Sequence, residues 1–319
     1  MSSVFLDFAT LGSDDLDLSP LLDVLPDLEC FDTTTAPQIA ERIAGREFVF
    51  VNKVPLGADV LAAAESLRYI GVAATGTDIV DKDCARQRGV AVTNIRAYCT
   101  RSVVEHVMGV MLMMTHNLGH YRGDVERGAW QEANTFCLLS RPVRELSSLT
   151  LGVVGYGELG QAVARAAEQF GMRVLVSRRP GSAYDLDDAR VDFEEVLAEA
   201  DVLTLHCPLT DDTRGLINET TLAKMKPGAY LINTARGALV DSAALAAALD
   251  RGHLSGAAID VLAEEPPVHG DPLLDYSGDR LILTPHIAWS SRTARQQAVN
   301  ELAVNVAAFL DGRDRCRVA

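Results

Sequence analysis

At 319 residues the chain exceeds the usual ceiling for one hydrophobic core, so two domains are expected. A formal net charge of −15 argues against general affinity for nucleic acid or anionic lipid, since both require clustered Lys and Arg. No run approaches the ~20 apolar residues of a membrane span, so the expected partner is a small molecule.

The opening residues, Met1-Ser-Ser-Val-Phe-Leu-Asp, lack a basic region followed by an apolar run and a cleavage site. The cysteines at 30, 84, 99, 137, 207 and 316 are scattered without a C-x-x-C pair. Reduced thiols in a cytoplasmic protein are the simplest expectation, with neither a disulfide framework nor a metal site.

Apolar runs at residues 4–8, 48–51, 69–73 and 90–92 alternate with segments of helical pattern such as 58–64, which predicts a parallel α/β sheet. Two of these strands end in polar loops, Asn52-Lys53 and Ala74-Thr75-Gly76-Thr77-Asp78. Ligands gather at the carboxyl ends of parallel strands, so both loops are candidates to face a substrate. The alternative for Thr75-Gly76 is a plain strand-to-helix turn capped by Asp78. Residues 101–118 form an apolar helix with Val103, Val104, Val107, Met108, Val110, Met111, Leu112 and Met114 spread around nearly its whole circumference. Such a helix is expected to be buried on several sides, whether in the core, crossing between domains or in a subunit interface.

Residues 151–160 pass from an apolar run into G-x-G-x-x-G at Gly155, Gly157 and Gly160. A helical run to Phe170, a stop at Gly171 and a further apolar strand at 174–176 complete a βαβ unit of dinucleotide-binding length. The glycines allow a sharp turn, close approach of a pyrophosphate and close helix packing, while the helix N-terminus attracts the negative charge. The second strand of such a unit ordinarily ends in a carboxylate that binds the ribose hydroxyls. Here it ends Ser177-Arg178-Arg179, which favours NADP over NAD because guanidinium groups match a 2′-phosphate. The alternative is two solvated arginines and an indifferent site.

Further strands at 202–205, 230–232, 257–259 and 281–283 end in His206-Cys207-Pro208, Asn233-Thr234-Ala235-Arg236-Gly237, Asp260 and Pro285-His286. Arg236 sits among small residues and suits a carboxylate ligand. Glu265 precedes two prolines that restrict its loop. With His286 these groups supply what reduction of a 2-oxo acid requires: a carboxylate anchor, a proton donor and a group that keeps the donor charged. A final helix at 291–310 closes the sequence.

Taken with Gly71 to Asp81, Met225-Lys-Pro-Gly-Ala, Asp260-Val-Leu-Ala-Glu-Glu-Pro-Pro and Thr284-Pro-His-Ile-Ala-Trp, these segments make the chain resemble the D-isomer-specific 2-hydroxyacid dehydrogenases, in particular the glycerate dehydrogenase or hydroxypyruvate reductase group. The resemblance implies an α/β architecture: a Rossmann dinucleotide-binding domain, residues 101–286, inserted into a flavodoxin-like substrate domain of residues 1–100 and 287–319. It makes Arg236 the substrate anchor, His286 the acid/base and Glu265 its partner, a carboxylate that stabilises the protonated imidazole. Backbone N–H groups at Thr75 and Gly76 would hold the substrate carboxylate, with Lys53 and Trp289 bordering the pocket. Glu158 and Leu159 would meet the pyrophosphate, and Cys207, Thr234, Ala235 and Asp260 would line the nicotinamide side. His206 reads as a packing histidine. The implied substrate is a small 2-oxo acid such as hydroxypyruvate or glyoxylate, and the implied assembly is a homodimer. The rival readings are a dinucleotide-sensing scaffold like the transcriptional corepressors of this fold and a dehydrogenase of another substrate such as phosphite.

Overall fold

A computed structural model describes residues 1–178 and 189–319. In chain order it contains β1 (Ser3–Phe5), α1 (Ser19–Leu22), β2 (Leu28–Cys30), α2 (Ala36–Ile43), β3 (Phe48–Val51), α3 (Ala58–Ala63), β4 (Tyr69–Val72), α4 (Lys82–Gln87) and β5 (Ala91–Thr93). There follow α5 (Thr100–Thr115), α6 (Leu118–Glu126), β6 (Thr150–Val154), α7 (Glu158–Gln169), β7 (Arg173–Val176), α8 (Phe193–Glu199) and β8 (Val202–Leu205). The remainder holds α9 (Glu219–Lys224), β9 (Tyr230–Asn233), α10 (Ser242–Asp250), β10 (Gly256–Ile259), β11 (Leu281–Leu283) and α11 (Arg292–Leu310). These elements divide into two compact units, Met1–Cys99 with Trp289–Ala319, and Thr100–Ala288.

In the first unit the strands run parallel in the order β2-β1-β3-β4-β5, a flavodoxin-like arrangement. One face buries Val4, Val49, Val51, Ile70 and Val72, and the other buries Phe5, Phe48, Phe50 and Tyr69 against the Ala298, Leu302 and Val306 stripe of α11. The strands are apolar on both faces because helices cover both. Asp81, not Asp78, caps the helix after β4: its carboxylate accepts from the Cys84 N–H at 2.9 Å. Residues 73–79 form a longer loop than the plain turn considered from sequence.

In the second unit the parallel order is β11-β10-β9-β8-β6-β7, with Val191 bridging Ser177 outside β7. Strand order reverses between β6 and β8, so their carboxyl ends flank the crevice where doubly wound sheets bind ligands. Helix α5 buries a stripe of Val103, Val107, Met108, Val110, Met111 and Met114 and leaves Met113 43% exposed. Its apolar circumference is therefore not enclosed on all sides by its own unit. Among the described residues no helix is long and apolar enough to cross a membrane.

Candidate active site

The glycine turn after β6 is built by backbone contact. Gly155 has a φ of +93°, and a Cβ there would stand 2.4 Å from the Cys207 amide nitrogen; one on Gly160 would stand 2.0 Å from the Gly155 carbonyl oxygen. The turn thus presses against the end of β8 and lets α7 begin directly over it, satisfying the first and third glycine roles. Around Gly157 the space is open, with nothing within 4 Å of where a Cβ would be. Glu158 and Leu159 form the first turn of α7, and the Glu158 carboxylate accepts a hydrogen bond from Thr100 Oγ1.

Two buried polar atoms at neighbouring strand ends have no hydrogen-bond partner among the described residues: Nδ1 of His206 and Oγ1 of Thr234. Burial pushes the His206 imidazole down to about 4, and its Nε2 pairs with Thr204 Oγ1 at 3.0 Å. Packing therefore accounts for only one of its ring nitrogens. Cys207 is buried, which raises its thiol above the usual range. An open glycine, a helix N-terminus and unsatisfied polar atoms at adjacent strand ends together fit a dinucleotide.

At the end of β7, Ser177 is buried and donates through Oγ to the Arg178 carbonyl at 2.7 Å. Nη1 of Arg178 lies 3.1 Å from Asp192 Oδ1, so a carboxylate absent from the strand end itself reaches it from the start of α8. Arg179 lies outside the described residues. Sequence reasoning passed over Arg190, whose guanidinium lies 5.8 Å from the ring centroid of Tyr156 in the glycine turn. The pairing that brings it there, Val191 with Ser177 just beyond β7, joins positions 14 apart and leaves no signal in the sequence.

The chemical groups lie on three loops of this unit. Oε2 of Glu265 stands 2.6 Å from Nδ1 of His286, while its Oε1 accepts from the Leu262 N–H at 2.9 Å. Engaging Nδ1 fixes the ring and leaves Nε2 as the atom presented to a reacting group. His286 has a φ of +56°, a left-handed conformation held by its N–H donating to the Asp260 carbonyl at 2.7 Å. The Asp260 carboxylate is buried and accepts from Thr284 Oγ1 at 2.5 Å, Ile287 N at 2.9 Å and Ala288 N at 2.8 Å. Its visible work is to clamp the histidine loop, which sequence reasoning missed.

Arg236 follows β9 and donates through Nη1 to the Ala235 carbonyl at 2.7 Å. The loop is fixed by buried Asn233, whose side chain donates to the Arg236 carbonyl at 2.9 Å and accepts from the Ala235 N–H at 3.0 Å. At Gly237 a Cβ would stand 1.9 Å from the Leu262 carbonyl carbon, so only glycine lets the arginine loop lie against the loop that carries Glu265. The fold thus joins Glu265 to His286 directly and sets the Arg236 loop beside them, an arrangement able to bind a carboxylate and deliver a proton. Among the described residues no cluster of three or more His, Cys, Asp or Glu is arranged to hold a metal ion.

The expected substrate residues Lys53, Thr75, Gly76 and Trp289 belong to the first unit. Thr75 donates through Oγ1 to the Ile95 carbonyl at 3.0 Å, and its own carbonyl accepts from Asn94 Nδ2 at 2.7 Å. Among the described residues the N–H groups of Thr75 and Gly76 donate to no backbone carbonyl. Trp289 stands edge-on to Tyr98, with ring centroids 6.2 Å apart.

The family described as D-isomer specific 2-hydroxyacid dehydrogenase, NAD binding domain, matches residues 108–288. A glycerate dehydrogenase of Methylorubrum extorquens is 45% identical over 88% of this chain and 88% of its own length. The chain belongs to the D-isomer-specific 2-hydroxyacid dehydrogenase family. A hydroxypyruvate reductase of Blautia hydrogenotrophica is 34% identical over 98% of both chains. The solved structure of a D-lactate dehydrogenase from Aquifex aeolicus, in complex with NAD and lactic acid, superposes with a TM-score of 0.83 at 30% identity, covering 98% of this chain and 96% of that one. As a member of this family the chain is a nicotinamide-dependent oxidoreductase acting on a CH–OH group.

Proposed function

We propose that the chain reduces hydroxypyruvate, and glyoxylate as a smaller relative, to D-glycerate and glycolate. The observation that carries this reading is the 2.6 Å contact between Glu265 and His286, with the Arg236 loop abutting the Glu265 loop across Gly237. The names of the glycerate dehydrogenase and hydroxypyruvate reductase relatives support the substrate class. The glycine turn, Glu158, Leu159, Cys207, Thr234, Ala235 and Asp260 are the residues proposed to hold the dinucleotide, which when bound in reduced form supplies a hydride to C2 of the substrate. Arg236 binds the substrate's carboxylate and polarises its carbonyl, and backbone N–H groups of Thr75 and Gly76 add donors to the carboxylate. His286 delivers the proton from Nε2 to the carbonyl oxygen while Glu265 stabilises the charged ring. Lys53 meets the 3-hydroxyl of hydroxypyruvate and Trp289 walls the pocket. In this assignment residues 1–100 and 287–319 form the substrate domain and 101–286 the dinucleotide domain.

NADPH is the proposed reductant. The end of β7 offers the Arg178 guanidinium and no carboxylate of its own, with the Ser177 hydroxyl beside it turned to the Arg178 carbonyl, and the exposed contact of Arg178 with Asp192 is of the kind worth under ~1 kcal/mol, which a phosphate displaces. A homodimer is supported by the apolar residues exposed between 113 and 143, among them Trp130, Phe136 (90% exposed) and Leu139 (85% exposed). Among the described residues the six cysteines form no disulfide, which supports a cytoplasmic setting.

A steady-state screen of 2-oxo acids with NADPH and NADH tests the reading. Hydroxypyruvate with NADPH should give the highest kcat/KM, and Arg178→Ala should lower it with NADPH more than with NADH. A wild-type preference for NADH would overturn the cofactor assignment, and turnover of no 2-oxo acid would favour a sensing scaffold.

A further inference from the structure

Asp7 stands just beyond β1 and is only 2% exposed. Its Oδ1 accepts from the Asn52 N–H at 2.8 Å, and its Oδ2 accepts from the Lys53 N–H at 2.6 Å and the Val54 N–H at 3.0 Å. One carboxylate thus gathers consecutive amides of the loop that leaves the carboxyl end of β3. A second brace reinforces it: Asn52 Nδ2 donates to Thr10 Oγ1 at 3.0 Å, and that hydroxyl donates to the Asp7 carbonyl at 2.6 Å. Asn52 and Val54 are buried while Lys53 between them is exposed, so the fixed backbone sets the point and direction from which its side chain extends.

Burying a carboxylate costs free energy, and here it is retained because only an acceptor-only group can serve three amide donors across both of its oxygens. The charge strengthens every bond in the set, since hydrogen bonds to an ionised acceptor are roughly twice as strong as neutral ones. What that rigidity protects is the placement of a flexible four-carbon side chain that, on a mobile loop, would lose its advantage as a ligand for one hydroxyl.

We infer that Asp7 is a positioning residue for Lys53, and that through it the protein prefers a 2-oxo acid with a 3-hydroxyl over glyoxylate, which has no third carbon. The inference rests on the reading of Lys53 as the group that meets that hydroxyl. The diagnostic quantity is the ratio of kcat/KM for hydroxypyruvate to that for glyoxylate, because general damage to the fold lowers both terms and leaves their ratio unchanged.

In the test, that ratio is measured for wild type, Lys53→Ala, Asp7→Asn and the double variant. Lys53→Ala should lower it by about tenfold, the scale of one lost charge-assisted hydrogen bond. Asp7→Asn should lower it in the same direction, through the KM for hydroxypyruvate, and the double variant should be no lower than Lys53→Ala alone. If Lys53→Ala shifts the ratio and Asp7→Asn does not, Asp7 is only structural and the inference is overturned. An unchanged ratio in Lys53→Ala refutes the assignment of Lys53 and the inference with it. Thr10→Val removes only the outer brace; should Asp7→Asn not fold, a smaller drop in the ratio for Thr10→Val supports the inference and an unchanged ratio overturns it.

Discussion

Gly237→Ala adds one methyl group where the chain leaves none room. Its carbon would stand 1.9 Å from the Leu262 carbonyl carbon and 2.3 Å from both the Leu262 oxygen and the Ala263 nitrogen, all backbone atoms that cannot rotate away. Nonbonded carbons settle near 3.5 Å, so the arginine loop and the glutamate loop must part by roughly 1.5 Å. Overpacking of this kind costs about 1–3 kcal/mol of stability, and misplacing a catalytic group by about 1 Å costs on the order of 10²-fold in rate. The variant should therefore remain folded at 25 °C, lose several degrees of Tm and fall about 100-fold in kcat/KM. Gly157→Ala is the contrasting control, because nothing lies within 4 Å of its added carbon. It should fold as wild type yet weaken dinucleotide binding, since the methyl fills the space proposed for the pyrophosphate. Thermal melts, dinucleotide titration and steady-state kinetics on both variants separate the effects. A Gly237→Ala enzyme within about threefold of wild-type kcat/KM would refute the claim that this close approach sets the Arg236 geometry.

Further expectations concern charge. His206 titrates near 4 in the fold, below the ordinary ~6.5, so its contribution to stability is complete above about pH 6.5 and is lost as pH falls from there towards 4, at about 1.4 kcal/mol per unit. Urea unfolding across that range should show a shallower acid slope in His206→Gln; parallel slopes would contradict the assignment. Asp201, its side chain 6% exposed, would be raised by burial alone, but donors from Lys226 at 2.9 Å, the Thr150 N–H at 3.0 Å and Arg144 at 2.7 Å outweigh this and lower it. Its contribution is present above the ordinary carboxylate range and is lost as pH falls through its depressed value, and Asp201→Asn should destabilise the protein by about 1–3 kcal/mol at neutral pH, read from urea midpoints. Glu158→Gln removes a negative charge from the helix start proposed to receive the pyrophosphate and should tighten dinucleotide binding by about two- to fivefold at low salt. An unchanged or weaker Kd would show that the carboxylate, tied to Thr100, does not oppose the ligand.

Both sheets can be read from the sequence because parallel strands buried on two faces appear as unbroken apolar runs. Strand β2 cannot, since Leu28–Cys30 lies at a sheet edge with Glu29 at its centre and exposed positions that break the pattern. Asp78 is the first acid after the turn, but the chain continues to Asp81 before α4 begins, and Asp81 is the cap. The pairing of Glu265 with His286 is suggested by residue type, but its contact joins positions 21 apart and becomes definite only when the loops after β10 and β11 meet. The roles of Asn233, Gly237 and Asp260 as loop fixtures depend on tertiary neighbours, as does the approach of Asp192 to Arg178. No local pattern encodes those approaches.

The most direct test of the catalytic assignment is the turnover of His286→Ala with hydroxypyruvate and NADPH, measured beside its dinucleotide Kd. Loss of general acid catalysis should lower kcat by about 10²- to 10⁴-fold while the Kd stays at the wild-type value. Wild-type turnover in that variant would contradict the account.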